Sequence, residues 1–575
     1  MGQHKYKDLP RVEPGGGLFG DAFLNSNKPF IWICFTGFLL YFRTVFFNFS
    51  YLDDNTLLDK FDFVSNLSNL PAFFKGDVFN SHLGGAYYRP IITVVSMLDT
   101  LWGGKNPGAY HFTNVILHLF VCSLVFRVLV KLNYKRTVSF FYALFFTVHP
   151  VLTQAVAWIP GRNDILLALF ALLSFMSFLS FLEERKWARL AAHLLFLLLA
   201  LLTKENAVVL CALCVFFMVY IKTAAVIGRG PGKPLEGNYF PLWAGWVVVV
   251  LGWFLVRKAV LKTVFGNAAF DVFGSLAHNL PALAGYLGKI FFPVNLGILP
   301  VLKDLPVTYG IIAAVLIGVM IFASGQKRAN FVVFGILWFL SFLLPSFIQS
   351  SAAVANFRED RMYLPLVGFM FILAELDIPG IFKLSRRWSL ALGGGIICVF
   401  FSLAFVHTGN FRDRISFWKK AVASSPSYAF NYNNLGSMYY LEGDPAKAES
   451  LWLKAVSINP EERLVHGNLG LIYMNRGQFR EAEEYYLREI KLNPLYDNVY
   501  LNIGLLYYGA GFRDKAELYW ETAININPDF AKVYANLALL NYQKKDIGKA
   551  KFYIKQMMER GFDVQPELLA IAAGS

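Results

Sequence analysis

Two adjacent carboxylates, Asp53 and Asp54, follow the first long apolar run of the sequence by only a few residues. A pair of this kind is either a solvated turn or a catalytic pair, in which one carboxylate removes a proton from a substrate group. Polar motifs also recur beside later apolar runs: Tyr88–Arg89–Pro90, the string from His149 to Asp164, Lys204–Glu205 and the run from Phe357 to Arg361. Whether the carboxylate pair does chemistry depends on where the chain places these motifs.

Apolar runs of membrane-spanning length dominate the sequence up to about residue 408. The 575 residues are 56% hydrophobic and only 16% charged, whereas soluble globular proteins carry about 25% charged residues. About eleven runs approach the roughly 20 residues that a membrane crossing needs. They predict an all-α, polytopic membrane module with spans at 29–47, 109–130, 138–158, 164–182, 188–203, 206–222, 239–256, 307–323, 330–348, 361–376 and 389–408. The segment 278–299 contains two prolines and Lys289, and it favours a re-entrant or interfacial helix.

The distribution of positive charge predicts the topology. Nearly all of the net charge of +14 lies before residue 410, in short Lys and Arg clusters between apolar runs. This pattern is typical of cytoplasmic loops and argues against nucleic-acid binding. If 278–299 does not cross, all clusters fall on one side, together with the N-terminal tail (1–28). We therefore expect a cytoplasmic N-terminus and a C-terminal region on the other side. The clusters are Lys131, Lys135 and Arg136; Arg185, Lys186 and Arg189; Lys327 and Arg328; and Lys383, Arg386 and Arg387.

In this topology the polar motifs meet on the non-cytoplasmic face of the membrane. Charged residues at or inside the ends of spans cost a few kcal/mol each, so their clustering on one face favours a functional site. Four solvated loops on one side would give the same pattern. The five cysteines all lie in apolar runs, which predicts neither a disulfide framework nor a zinc ligand set.

Residues 409–575 repeat with a period of 34. Asn459–Pro460, Asn493–Pro494 and Asn527–Pro528 keep this step. Small residues at the repeated positions let paired helices approach, and the proline stops the second helix. The spacing resembles the tetratricopeptide repeat, with a half repeat at 411–426 and about four repeats, the last of them degenerate. Large aromatic residues recur in the second helix, at Trp418, Trp452, Tyr486 and Trp520.

An α-solenoid of this kind offers a concave surface, on which we expect a row of asparagines. Amide side chains there either clamp a peptide backbone or only cap and bridge helices, and the sequence leaves both open. The asparagines are Asn433, Asn434, Asn468, Asn502 and Asn536.

Taken in order, the motifs resemble those of the transmembrane and tetratricopeptide-repeat (TMTC-type) O-mannosyltransferases, and more broadly the GT-C glycosyltransferases. The resemblance covers nearly the whole chain. Its strongest pieces are the string from His149 to Asp164, the Lys204–Glu205 pair and the string Arg361–Met362–Tyr363–Leu364–Pro365. The shorter repeat array suggests a prokaryotic relative. The resemblance implies a GT-C-like module at 29–408 and a repeat array at 409–575.

The resemblance also implies a mechanism. The donor would be a sugar, mannose or similar, on polyprenyl or dolichyl phosphate in the membrane. By resemblance Asp53 is the general base for an acceptor hydroxyl, and Asp54 orients it. Attack opposite the phosphate would invert the anomeric carbon through an oxocarbenium-like state. The leaving phosphate needs cations, for which the candidates are Arg361, Lys204, Arg358, Arg89 and Arg162. Arg361 and Lys204 are favoured because each lies next to a span; the alternative is that they only pair with Asp360, Glu359 or Glu205.

Other candidates carry an alternative structural interpretation. His149 contacts the substrate or is satisfied by the backbone at a span end, and Asp164 is a substrate ligand or a helix-start carboxylate. Glu205, Asn434, Asn468 and Asn502 complete the predicted substrate-binding set. We expect no cofactor and no metal site, although an Asp pair could hold one divalent ion.

The sequence thus predicts a membrane glycosyltransferase that moves a sugar to a hydroxyl of a protein acceptor, which the repeats recruit. The expected location is a bacterial inner membrane with periplasmic repeats, or the endoplasmic reticulum membrane with lumenal repeats. The alternatives are a non-enzymatic membrane scaffold and a transporter or flippase of lipid-linked sugars. A scaffold has no need for Arg and Asp at span ends, and a flippase needs polar groups through the depth of the bilayer, which the spans hardly offer.

Overall fold

The computed structural model describes residues 21–78, 87–221, 238–261, 271–325, 328–349 and 354–574. The N-terminal tail up to residue 20 and Lys327 lie outside these ranges. The described residues are helical, with one isolated antiparallel bridge between Val301 and Asn356. The chain divides into two compact units, and the boundary in the sequence falls between Ser425 and Pro426.

The first unit contains six helices long and apolar enough to cross a membrane, among the described residues. A bent pair, Arg136–Val148 and Pro150–Ala157, makes a seventh if it counts as one span. Pro150 lacks the amide hydrogen that would continue the helix, which accounts for the break. The six are Lys28–Phe46, Pro107–Lys131, Ile159–Glu184, Phe240–Val260, Ala329–Phe347 and Arg386–Phe411.

Each predicted span corresponds to a helix, but the number of crossings stays a prediction. Four of the spans form helices of 10–17 residues: Trp187–Leu201, Glu205–Ile221, Val307–Ala323 and Pro365–Ala374. At 1.5 Å per residue they fall short of the roughly 30 Å hydrocarbon core. Two further apolar helices, Pro90–Gly103 and Ala282–Phe291, lie in segments that were predicted not to cross. The all-helical membrane architecture is confirmed.

The helices of this unit pack closely where they carry glycine. A Cβ on Gly335 would lie 2.6 Å from the carbonyl oxygen of Gly368, and a Cβ on Gly368 would lie 2.7 Å from that of Gly335. Helices Ala329–Leu343 and Pro365–Ala374 therefore meet backbone to backbone. The second of these helices follows directly on the polar run 357–361, so this close packing fixes the end of the helix to which that run is attached.

The second unit is a series of antiparallel helix pairs. Its helices are Ala429–Leu441, Pro445–Ile458, Val465–Asn475, Phe479–Leu492, Asp497–Gly509, Arg513–Ile526, Ala531–Gln543 and Ile547–Glu559, followed by Pro566–Ala573.

In the first three helix pairs the aromatic residue of the second helix packs against a glycine of the first. A Cβ on Gly436 would lie 2.6 Å from the Trp452 ring, and one on Gly504 would lie 2.3 Å from the Trp520 ring. The indole N–H of Trp452 donates to the Asn433 carbonyl (3.0 Å), and that of Trp520 donates to the Leu501 carbonyl (3.1 Å). In both repeats the accepting carbonyl belongs to the residue 19 positions earlier.

Candidate active site

The loop after the first long helix is closed by Asp54. Its carboxylate accepts hydrogen bonds from the Ser50 amide (2.7 Å), the Ser50 hydroxyl (2.9 Å) and the Leu52 amide (3.1 Å). The side chain is only 1% exposed. Burial raises the pKa of Asp54, and the bonds from Ser50 and Leu52 offset this only in part. Asp54 therefore holds the loop together from inside and does not face solvent.

Unlike the buried side chain of Asp54, the side chain of Asp53 is partly exposed. Its side chain is 40% exposed and lines a cleft of about 920 Å³, open mouth included. One carboxylate oxygen lies 3.5 Å from Nη1 of Arg358. Asp53 is thus the member of the pair that a substrate hydroxyl can reach. The cleft is also lined by Thr56, Leu57, Lys60, Phe63, Val64, Phe73, Asp77, Arg89, Ile92, Ile159, Pro160, Arg162 and Asn163, among others.

Arg358 is shared between two carboxylates. It lies 3.5 Å from Asp53 and 3.2 Å from Asp360, and its guanidinium stands 4.9 Å from the centre of the Trp158 ring. The Trp158 indole N–H in turn donates to the Ser50 hydroxyl at 2.9 Å. Cation–π contact and ion pairing together fix Arg358 beside Asp53.

Glu359 anchors the run 357–361 to the rest of the unit. Its fully buried carboxylate accepts from the Lys289 ammonium and the Gly297 amide, both at 2.6 Å, and lies 3.5 Å from His407. The Glu359 amide donates to the Gln154 side chain at 2.9 Å. Burial raises the pKa of Glu359, but Lys289 and His407 more than offset it, so the pKa lies below its usual value. Sequence reasoning named Glu359 only as a partner of cations and missed Gln154 and Lys289 as parts of the site.

Arg361 forms no ion pair in the part of the chain that the structure describes. Its guanidinium donates to the carbonyl oxygens of Asn356 (2.7 Å) and Ser346 (3.4 Å) and to the Asn356 side-chain oxygen (3.3 Å). These acceptors are neutral, so they hold the side chain in place without cancelling its charge. Its guanidinium stays available for an anion.

The other three predicted cations are neutralised by carboxylates. Arg89 forms a two-bond pair with Glu205 at 2.6 and 3.1 Å. Lys204 donates to both oxygens of Asp164, at 2.8 and 2.9 Å.

Arg162 pairs with Asp99, and both side chains are almost fully buried. Asp99 also accepts from Thr113 at 2.5 Å. Asp99 was missed because it lies inside an apolar stretch, where nothing in the sequence marks it as the partner of Arg162.

His149 is satisfied by the backbone. Its Nδ1 accepts from the Val151 amide at 3.3 Å, and Nε2 lies 3.2 Å from the Ile290 carbonyl, so the ring is neutral and donates there. The side chain is fully buried between Phe145 and Phe400. In this conformation it offers no atom to a substrate.

The three predicted asparagines of the repeats differ in their bonding. Asn434 donates to the Phe430 carbonyl of its own helix (2.8 Å), and Asn468 bridges to the Asn433 side chain of the preceding repeat (3.0 Å). Asn502 is half-buried, and its side-chain amide forms no hydrogen bond with any of the described residues. No group of three or more His, Cys, Asp or Glu side chains within the described ranges could hold a metal ion.

Comparison with known proteins agrees with the repeat pattern. Models of the tetratricopeptide repeat match residues 431–462 and 464–496. A crystal structure of MamA is 27% identical and aligns with 27% of this chain and 91% of its own length, with a TM-score of 0.25. The two model matches confirm the predicted tetratricopeptide repeats over residues 431–496.

Curated relatives are named as protein O-mannosyltransferases. Tmtc1 of Drosophila melanogaster is 32% identical over 184 residues, which are 31% of this chain and 21% of the relative. Human TMTC3 is 25% identical over 34% of this chain and 22% of its own length. Human TMTC1 is 40% identical over 83 residues, 14% of this chain and 9% of its own. The first two matches thus span only about a fifth of these relatives. Over about a third of its length the chain is thus similar to proteins of the TMTC group, and it also has apolar helices and tetratricopeptide repeats.

Proposed function

We propose that the chain is a membrane glycosyltransferase that moves mannose or a similar sugar from a polyprenyl or dolichyl phosphate to a hydroxyl of a protein. The observation that carries this proposal is Asp53, a partly exposed carboxylate on an open cleft with Arg358 beside it. The relatives, which are named as protein O-mannosyltransferases, support the reaction class.

The reaction requires one carboxylate that acts as a general base. Asp53 accepts the proton of the acceptor hydroxyl while that oxygen attacks the anomeric carbon of the sugar. The bond from the anomeric carbon to the phosphate oxygen breaks, and both electrons leave with the lipid phosphate. Attack from the opposite face inverts the anomeric carbon. The buried Asp54 keeps the loop in shape during this step.

The leaving phosphate needs a cationic side chain that is not already paired with a carboxylate. Arg89, Lys204 and Arg162 each have a close carboxylate partner, which must be released before they can bind an anion. Arg361 donates only to neutral oxygens, and a guanidinium matches phosphate in two parallel hydrogen bonds. We therefore assign the phosphate to Arg361.

The repeat unit would recruit the acceptor on the non-cytoplasmic side of the membrane. Asn502 is the best placed of the three asparagines to bind a peptide, because the amides of Asn434 and Asn468 are already bonded within the array. The membrane could be a bacterial inner membrane or that of the endoplasmic reticulum.

Sugar transfer from a lipid donor to a protein acceptor, measured in liposomes with Asp53→Asn, tests the proposal. The amide keeps the size of the side chain but cannot accept the proton, so turnover should fall by about 10²–10⁴-fold. Donor binding should stay near the wild-type value. Asp54→Asn should give the milder defect, because Asp54 acts on the loop and not on the substrate.

Normal turnover in Asp53→Asn would remove Asp53 as the base. Normal turnover in both variants would mean that Asp53 and Asp54 have only a structural role in the turn. It would favour a membrane scaffold without enzyme activity.

A further inference from the structure

Trp418 occupies the position of the repeat tryptophans but has a different hydrogen-bond partner. It precedes Trp452 by 34 residues and lies in the helix Arg414–Ser424, here called the half-repeat helix. In the two full repeats that have a tryptophan, Trp452 and Trp520, the indole N–H donates to the backbone 19 residues earlier. The residue 19 before Trp418 is Val399, in the last long helix. Trp418 instead donates to the Ser50 carbonyl, at 3.2 Å.

Ser50 belongs to the loop that carries Asp53 and Asp54. Its amide and hydroxyl both donate to Asp54. The loop therefore supplies the backbone carbonyl that the first helix of a full repeat supplies to Trp452 and Trp520. The half repeat, which has no first helix of its own, is completed by the candidate catalytic loop.

Two further contacts join the half repeat to the same loop. The Asn48 amide donates to the Arg412 carbonyl at 2.8 Å, and the Arg414 guanidinium stands 5.0 Å from the centre of the Tyr51 ring. Tyr51 has a φ of +59°. A residue with a side chain is held in this left-handed region only where its surroundings over-determine it. The half-repeat helix supplies part of those surroundings.

A continuous set of contacts leads from Trp418 to the carboxylate at the cleft. Trp418 holds the Ser50 carbonyl, and the Ser50 hydroxyl accepts from Trp158. The Arg358 guanidinium lies over the Trp158 ring and pairs with Asp53. Trp418 itself is fully buried and packs on Phe417, whose ring also faces Trp158 at 6.2 Å.

From these contacts we infer that the half repeat belongs to the catalytic unit and that Trp418 is a positioning residue for Asp53. The inference rests on the proposed function, in which Asp53 is the base. It adds that the segment which begins the repeat pattern in sequence serves the chemical step and not the capture of the acceptor.

Trp418→Phe in the full-length protein tests this inference, because phenylalanine keeps a ring but removes the N–H donor. We expect kcat to fall by about tenfold, within the range that loss of positioning produces, while donor Kd and acceptor KM stay unchanged. Trp452→Phe is the matched control, since it removes the same donor from a full repeat. It should leave kcat unchanged and affect only acceptor KM or the stability of the array.

A wild-type kcat in Trp418→Phe, or a defect confined to acceptor KM, would overturn the inference. If Trp418→Phe does not insert into the membrane, Arg414→Ala probes the same loop and should also lower kcat at constant acceptor KM; an unchanged kcat there counts equally against the inference.

A double-mutant cycle of Trp418→Phe with Asp54→Asn adds a readout that simple loss of folding would not give. Both residues act on the Ser50 segment, so the two defects in kcat should be clearly less than multiplicative. Fully multiplicative defects would mean that they act separately and would contradict the inference.

Asp53→Asn distinguishes failure of the proposed function from failure of the inference. An active Asp53→Asn variant would contradict the proposed function. An inactive Asp53→Asn variant together with a normal Trp418→Phe variant would contradict the inference alone.

Discussion

Neighbouring residues of the same type have opposite surroundings in this protein. Asp53 and Asp54 are adjacent carboxylates, but one lines a cleft and the other is enclosed by three hydrogen bonds from its own loop. Arg358 and Arg361 likewise differ, because the first pairs with two carboxylates and the second bonds to neutral oxygens. These differences assign distinct roles to residues that the sequence presents as equivalent.

Arg361→Ala should weaken both donor binding and turnover. Hydrogen bonds to a charged group contribute about 1.5–3 kcal/mol, so donor Kd should rise by at least roughly tenfold. Donor Kd can be measured by titration of detergent-solubilised protein with a fluorescent lipid-phosphate sugar. The exposed Arg387 gives a matched control, because Arg387→Ala removes the same charge from the predicted cytoplasmic side. If both variants bind donor like the wild type, the phosphate lies elsewhere.

Glu359 gives a pH-dependent prediction. Because its pKa in the folded protein lies below the usual 4.5, its ionised form stabilises the fold above that value, and this stabilisation is lost as the pH falls through the lower pKa. Glu359→Gln leaves Lys289 buried without its partner, which costs about 3–5 kcal/mol at neutral pH. The difference in Tm between wild type and Glu359→Gln should therefore be large and nearly constant from pH 7 down to the usual pKa of 4.5, and should shrink only as the pH falls further. A difference that does not shrink below this pH would show that the Glu359 charge is not what holds the run 357–361.

At the scale of elements, the sequence predicted the helices better than the contacts between them. Apolar runs mark helices because their residues are all buried in lipid or protein, so every predicted span corresponds to a helix. Helix Pro90–Gly103 was missed because 14 residues are too few to stand out as a span. Pairs such as Asp99 with Arg162 join residues 63 positions apart, and no local pattern connects them. The candidate site was therefore predicted as a set of polar motifs, and its pairing was not.

The repeat unit allows a prediction about packing. Gly504→Ala places a methyl group 2.3 Å from the Trp520 ring, and overpacking of this kind typically costs about 1–3 kcal/mol. Urea unfolding of the fragment 426–575 should show the loss as a lower midpoint. Gly509→Ala is the control, because a Cβ there meets nothing within 4 Å. Equal midpoints for the two variants would mean that the glycine does not set the distance between the paired helices.

At the scale of the whole molecule, the topology can be tested directly. The Lys and Arg clusters predict a cytoplasmic N-terminus and Ser575 on the opposite side. A reporter that is active only outside the cytoplasm, fused after Ser575, should be active, and the same reporter inserted just before the helix Arg386–Thr408 should be silent. A silent reporter at Ser575 would place the repeats away from the proposed site and contradict acceptor recruitment. The number of crossings depends on the same measurement at each short helix.

The division of the chain between Ser425 and Pro426 affects how such proteins can be recombined. The repeat pattern starts before this point, so a chimera designed from sequence periodicity alone would cut ahead of residue 411 and exchange Trp418 with the foreign array. That cut would remove the donor to the Ser50 carbonyl. A graft joined at Pro426 keeps the half-repeat helix with its own membrane unit and exchanges only complete helix pairs. The donor to the Ser50 carbonyl then stays with the loop of Asp53, whatever the length of the array that follows.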